Sequence, residues 1–152
     1  MCAGISFPIS QIDDLELHRF LTSKQVAGRS DDGYLETFFW DARPFLPVLE
    51  EGKVHLYDWG NREKTLKMPR TGWAKIESLR DGQWDWLSPK AVTIPAFRGC
   101  EKKKWFRILG GIKAVKVRYH NIVRVYMITA KSDQNFLNLT GHDRMPYARI
   151  VY

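Results

Sequence analysis

The apolar positions of this chain gather into short runs bounded by glycine, proline and acidic turns, which is the pattern of strands. Helical spacing is clearest near the N-terminus. There Ser10 and Asp13 make a capping-box-like start, and Ile12, Leu15, Leu17, Phe20 and Leu21 predict a helix of about three turns. The polar, two-glycine stretch 25–33 reads as a loop, and Tyr34 to Trp40 as extended chain broken by Asp41-Ala42-Arg43-Pro44, because the residue before a proline is pushed out of the helical region. Pro47-Val48-Leu49 and Val54 to Trp59, separated by Glu50-Glu51-Gly52-Lys53, predict a hairpin.

Asn61 to Arg70 reads as a basic loop, Gly72 to Arg80 has no clear period, and Trp84 to Leu87 reads as a helical turn closed before Pro89. Strand signals then strengthen. Ala91 to Ala96 reads as a buried strand, Trp105–Leu109 and Ala114–Val117 as a pair about Gly110-Gly111, and Ile122 to Thr129 as the most strand-like run. Asp133 to Leu139 predicts a turn or two of helix, and Tyr147 to Tyr152 a closing strand. The fold class is therefore α+β, mainly β. Strands not separated by regular helices argue against a parallel βαβ fold. The 152 residues contain no repeat or divisive linker and read as one domain, 1–152.

Composition narrows the partners. Lys plus Arg number 24 against 17 Asp plus Glu, a formal charge of +7 that favours polyanions. The cations cluster over Arg62 to Arg80 and Lys102 to Arg124, with Trp59, Trp73, Trp84, Trp86 and Trp105 interleaved. Charge that tracks phosphates and rings that stack on bases are what single-stranded nucleic acid needs, although tryptophans can equally fill a core. Two cysteines, Cys2 and Cys100, form no disulfide or zinc pattern, so no metal and no cofactor are expected. The absence of a run of ~20 apolar residues or a signal-like start points to a cytoplasmic protein off the membrane, nucleoid-associated if bacterial.

The candidate chemistry begins at Met1-Cys2. Removal of Met1 would leave Cys2 with a free amine beside its thiol, a 1,2-aminothiol that can condense with an aldehyde and close a thiazolidine ring. Near the other end stand Thr129-Ala130-Lys131-Ser132-Asp133-Gln134 and Gly141-His142-Asp143-Arg144-Met145-Pro146, and between them Pro95-Ala96-Phe97-Arg98-Gly99-Cys100-Glu101. In this order they resemble the motifs of the SRAP (SOS response-associated peptidase) domain family, which opens Met-Cys-Gly-Arg, carries Pro-Ala-Asp-Gly-aromatic-aromatic-Glu-Trp, and closes on a similar histidine motif. Looser likenesses are Phe39 to Pro44 for Tyr-Asn-x-x-Pro, with Asp41 in place of asparagine, Trp59-Gly60 for a Trp-Gly pair, and Trp73 to Ser78 for Asn-Ala-Arg-x-Glu-Thr. The chain is shorter than typical members.

The resemblance implies a compact fold of antiparallel strands around a partly closed barrel with peripheral helices, acting as a monomer on single-stranded DNA that contains abasic sites. It implies Cys2, Glu101 and His142 as the catalytic set: Cys2 captures the sugar aldehyde, Glu101 moves protons, and His142 serves the sugar oxygen. Peptidase action on Met1 and lyase action at the lesion are implied with it. Arg144, Lys75, Arg43, Lys67 and Arg70 are the expected phosphate contacts, and Trp73 stacks on a base or fills the place of the family asparagine. Trp73 and Lys75 also support another reading, a diverged module that binds single-stranded DNA without crosslinking, since lysine lacks the arginine fork and indole accepts no hydrogen bond. A third, a protein-interaction domain for an acidic partner, rests on charge alone. His18, His55 and His120 fall in no motif.

Overall fold

The computed structural model describes residues 2–152. Met1, whose removal the sequence reading expects, lies outside the described residues. The elements in order are β1 (Gly4–Pro8), a 3-10 turn (Ile9–Gln11), α1 (Asp14–His18), α2 (Ser23–Arg29), β2 (Ser30–Asp31), β3 (Tyr34–Phe38), β4 (Phe45–Glu50) and β5 (Lys53–Asp58). After a long loop come β6 (Trp73–Lys75), α3 (Ile76–Arg80), a 3-10 turn (Asp85–Leu87), β7 (Lys90–Ile94), β8 (Arg98–Glu101), β9 (Lys104–Tyr119), β10 (Ile122–Lys131), α4 (Gln134–Thr140), β11 (Arg144–Pro146) and β12 (Ala148–Val151). The fold is mainly β: a curled, largely antiparallel half-barrel sheet with four helices.

One strand organises the sheet. Along its length β9 pairs with β8 and β7 on one side and with β12 and β10 on the other, and the path β2-β3-β1-β8-β9-β7-β4-β5 completes the curve. The pairings between strands are antiparallel except that of β6 with β10. The larger core lies inside the curl, around Ile5, Phe7, Phe45, Trp59, Phe106 and Phe136. A smaller cluster holds Trp84, Leu87, Val117 and Tyr126.

Local chemistry moves several expected boundaries. Asp13, not Ser10, caps the first helix, accepting Leu15 N–H at 2.8 Å, and that helix ends at His18 instead of running about three turns. The polar stretch expected as a loop contains most of α2, because Thr22 and Gln25 form a reciprocal capping box that satisfies the first amides. Gly110-Gly111 is not a hairpin turn either. β9 runs straight through it, and the pair bulges where Ala148 faces Ile112 but Arg149 faces Leu109. A Cβ on Gly111, at φ +77°, would come within 2.4 Å of the Ile94 carbonyl oxygen, so the glycine permits the close approach of β7.

Candidate functional site

Cys2 lies at the head of β1, where Ala3 N–H donates to Cys100 O at 2.8 Å and Phe39 N–H donates to Ala3 O at 3.0 Å. The residue is fully buried, and its Sγ–H donates to Gly4 O at 3.1 Å. Burial pushes the thiol up to about 12 and the Glu101 charge adds to the rise, while contacts with the backbone at Cys100 and Gly4 act against it. The sulfur fits because residue 99 is glycine: a Cβ there would stand 2.8 Å from Sγ and 2.6 Å from the Phe106 ring. In this state Cys2 is a protonated, shielded thiol.

Trp73 is the partner that sequence reasoning could not orient. Its indole N–H donates to the Cys2 carbonyl at 3.1 Å. Pairing of β6 with β10 sets Trp73 beside Met127, and its ring leans on Phe39 at 4.9 Å and on Trp59 at 6.0 Å. Trp59 is itself fixed by donating to Gly72 O at 2.9 Å. Trp73 thus holds the Cys2 main chain from within an aromatic wedge.

Glu101 ends β8 on the same inner side as Gly99 and is 6% exposed. It leads into a tight turn in which Lys102 and Lys103 both take left-handed φ, 49° and 67°. From the other direction, α4 docks through Phe136 edge-on to Phe106 at 5.2 Å and ends at Gly141 in the left-handed region. A Cβ on Gly141 would stand 3.9 Å from Lys102 Nζ, so the helix delivers the His142 loop to the turn that carries Glu101. The His142 ring accepts Arg144 N–H at Nδ1 (3.1 Å), Asp143 Oδ1 lies 3.5 Å from that nitrogen, and Ser132 Oγ–H donates to the His142 carbonyl at 2.7 Å. With Nδ1 accepting from Arg144 N–H, Nε2 is the ring nitrogen left to donate.

The expected phosphate contacts divide. Lys75 is exposed and pairs in register with Thr129. Arg144 is engaged within the chain, forking onto the exposed Glu77 at 3.2 and 2.9 Å and donating to Thr129 O at 2.9 Å. The hydrogen bond from Arg144 holds the Glu77 carboxyl below the usual carboxylate range. Arg43 is likewise engaged, with Asp58 at 2.9 Å, Arg19 O at 2.9 Å and the Phe20 ring at 4.1 Å. Arg70 donates to Arg62 O at 3.2 Å, and Lys67 is exposed. Asp41 gains a use as a carboxylate, accepting from Arg29 at 2.9 Å and from Phe38 N–H at 2.8 Å.

Among the described residues no three His, Cys, Asp or Glu gather as a metal site, and no helix is long and apolar enough to cross a membrane. No family model matches the chain, and no curated protein matches it in sequence.

Proposed function

We propose that this chain is an SRAP-like protein that binds single-stranded DNA and captures abasic sites covalently through Cys2. The observation that carries the reading is the seating of Cys2: Trp73 donates to its carbonyl at 3.1 Å, and Glu101, buried at the end of β8, lies close enough for its charge to act on the sulfur. Hydrolysis of the Met1–Cys2 bond frees the amine. That amine adds to the aldehyde of the ring-opened sugar, loss of one water gives the Schiff base, and addition of the thiol across C=N, its proton passing to nitrogen, closes the thiazolidine. Glu101 carries protons to and from the amine during addition and dehydration, and His142 Nε2–H is the donor suited to the sugar oxygen freed on ring opening. Trp73 is a positioning residue, fixing the Cys2 backbone by donation where the family asparagine would use an amide.

One observation favours a second reading, a module that binds single strands without crosslinking: the Cys2 thiol is buried and its ionisation strongly opposed. A denaturing gel separates the two. Protein shown by mass to have lost Met1 is incubated with a single-stranded oligonucleotide carrying one abasic site, beside Cys2→Ala. A heat-stable shifted band that needs Cys2 is the expected result; its absence would sink covalent capture and leave the binding module.

A further inference from the structure

The four strands that hold Cys2 on their inner face carry a second, unassigned feature on the outer one. Register sets Phe38, Gly4, Cys100 and Trp105 in one row across β3, β1, β8 and β9. The two middle residues are small, so the flanking rings lean over them until their centroids are 5.9 Å apart at 73°. A Cβ on Gly4 would come within 2.2 Å of the Phe38 ring, so the arrangement requires glycine there. Trp40 then stacks on Phe38 at 4.6 Å and 19°, yet remains 65% exposed.

Cations interleave with these rings. The Arg98 guanidinium lies 5.2 Å over Trp105, and in the neighbouring row Arg107 lies 5.4 Å over Phe97, which stacks on Tyr34 at 5.1 Å and 29°. Arg43, Lys116 and Arg144 are all spent on carboxylates, but among the described residues no salt bridge engages Arg98 or Arg107. Lys102 and Lys103 stand exposed on the adjoining turn and Lys104 at the start of β9, and Glu36 is the acidic side chain facing this row across Ser6. A flat, partly open stack among unspent cations complements a polyanion with flat faces of its own.

We infer that this outer face is a stacking platform for unpaired nucleic-acid bases, with Trp40 as the ring on which a base lies and Arg98 and Arg107 serving the backbone phosphates. This rests on the single-strand-binding half of the proposed function, not on capture. Base–aromatic stacking tolerates any sequence, so the platform holds undamaged strand flanking a lesion.

The test is fluorescence anisotropy with a labelled oligothymidine of about 12 nucleotides. Trp86 provides the control, since it is 57% exposed and set edge-on to Tyr119 but lies outside this face. Trp40→Ala is expected to weaken binding about tenfold, Trp40→Tyr to restore most of it, and Trp86→Ala to leave it unchanged. Oligothymidine binding by Trp40→Ala at wild-type strength, equal loss in Trp86→Ala, or no binding by the wild type would each overturn the platform. The abasic-site gel run on the same proteins keeps the two proposals apart. Cys2-dependent adduct without a Trp40 effect on binding removes the platform alone, and Trp40-dependent binding without adduct removes capture alone.

Discussion

The inner and outer faces of β3, β1, β8 and β9 are built from alternate residues of the same strands, and matched positions come out differently. Inside, Gly99 admits the Cys2 sulfur and the Phe106 ring, and α4 seals them with Phe136. Outside, Gly4 admits the Phe38 ring, but the next ring in the stack, Trp40, faces solvent. Each face also has a cysteine whose thiol is pushed up by burial, Cys2 to about 12 and Cys100 in the same direction. A missing Cβ makes a space on either face. What fills it decides whether the space becomes core or contact surface.

Aromatic truncation breaks this comparison most sharply. Phe106→Ala should cost about 4 kcal/mol, the usual loss for a buried phenylalanine, while Phe38→Ala should cost about 1 kcal/mol because its ring sits at the solvent edge. Equal losses by urea denaturation would mean that both faces are core. Next, Gly99→Ala should cost about 2 kcal/mol through overpacking among buried atoms. Gly4→Ala should cost less, because the Phe38 ring can swing outward, but should weaken oligothymidine binding along with the stack; Gly4→Ala melting below Gly99→Ala would reverse the assignment.

The smallest effect is a pH dependence. A thiol whose folded pKa is raised contributes stability that is complete below its unfolded value near ~8.5 and is lost as pH climbs towards the folded one. Cys2→Ala should therefore remove about 1 kcal/mol of the stability otherwise lost between about pH 9 and pH 10, and Cys100→Ala less. Stability curves of wild type and Cys2→Ala that stay parallel across that range would show that Cys2 is open to water.

Much of the mainly-β character was legible, because turns such as Glu50-Glu51-Gly52-Lys53 announce themselves by glycine and charge between apolar runs. The same rule misled at Gly110-Gly111, where glycine serves a bulge, and was silent at Lys102-Lys103, where the chain turns sharply without one. Helix α2 was hidden because Gly28 and polar side chains resemble a loop, whereas its start is fixed by a two-residue hydrogen-bond exchange at Thr22 and Gln25. At the site, motif order drew attention to Cys2, Glu101 and His142. The burial of Cys2, the direction of the Trp73 indole and the engagement of Arg144 by Glu77 depend on partners distant in sequence. Trp40 gave no signal beyond its aromaticity, since the Phe38 ring it stacks on has its place only because residue 4, distant in sequence, is glycine.

The pairing of β1 with β8 also imposes an order in time. Translation makes Cys2 before any of the residues that enclose it, Trp73, Gly99, Glu101 and Phe106, which follow it by roughly 70 to 100 positions. At about 5–20 residues per second Cys2 stays uncovered for on the order of 5–20 s of synthesis. The sheet that buries the thiol therefore closes only after translation has passed Phe106, and until then the Cys2 sulfur is as open to water as in an unfolded chain.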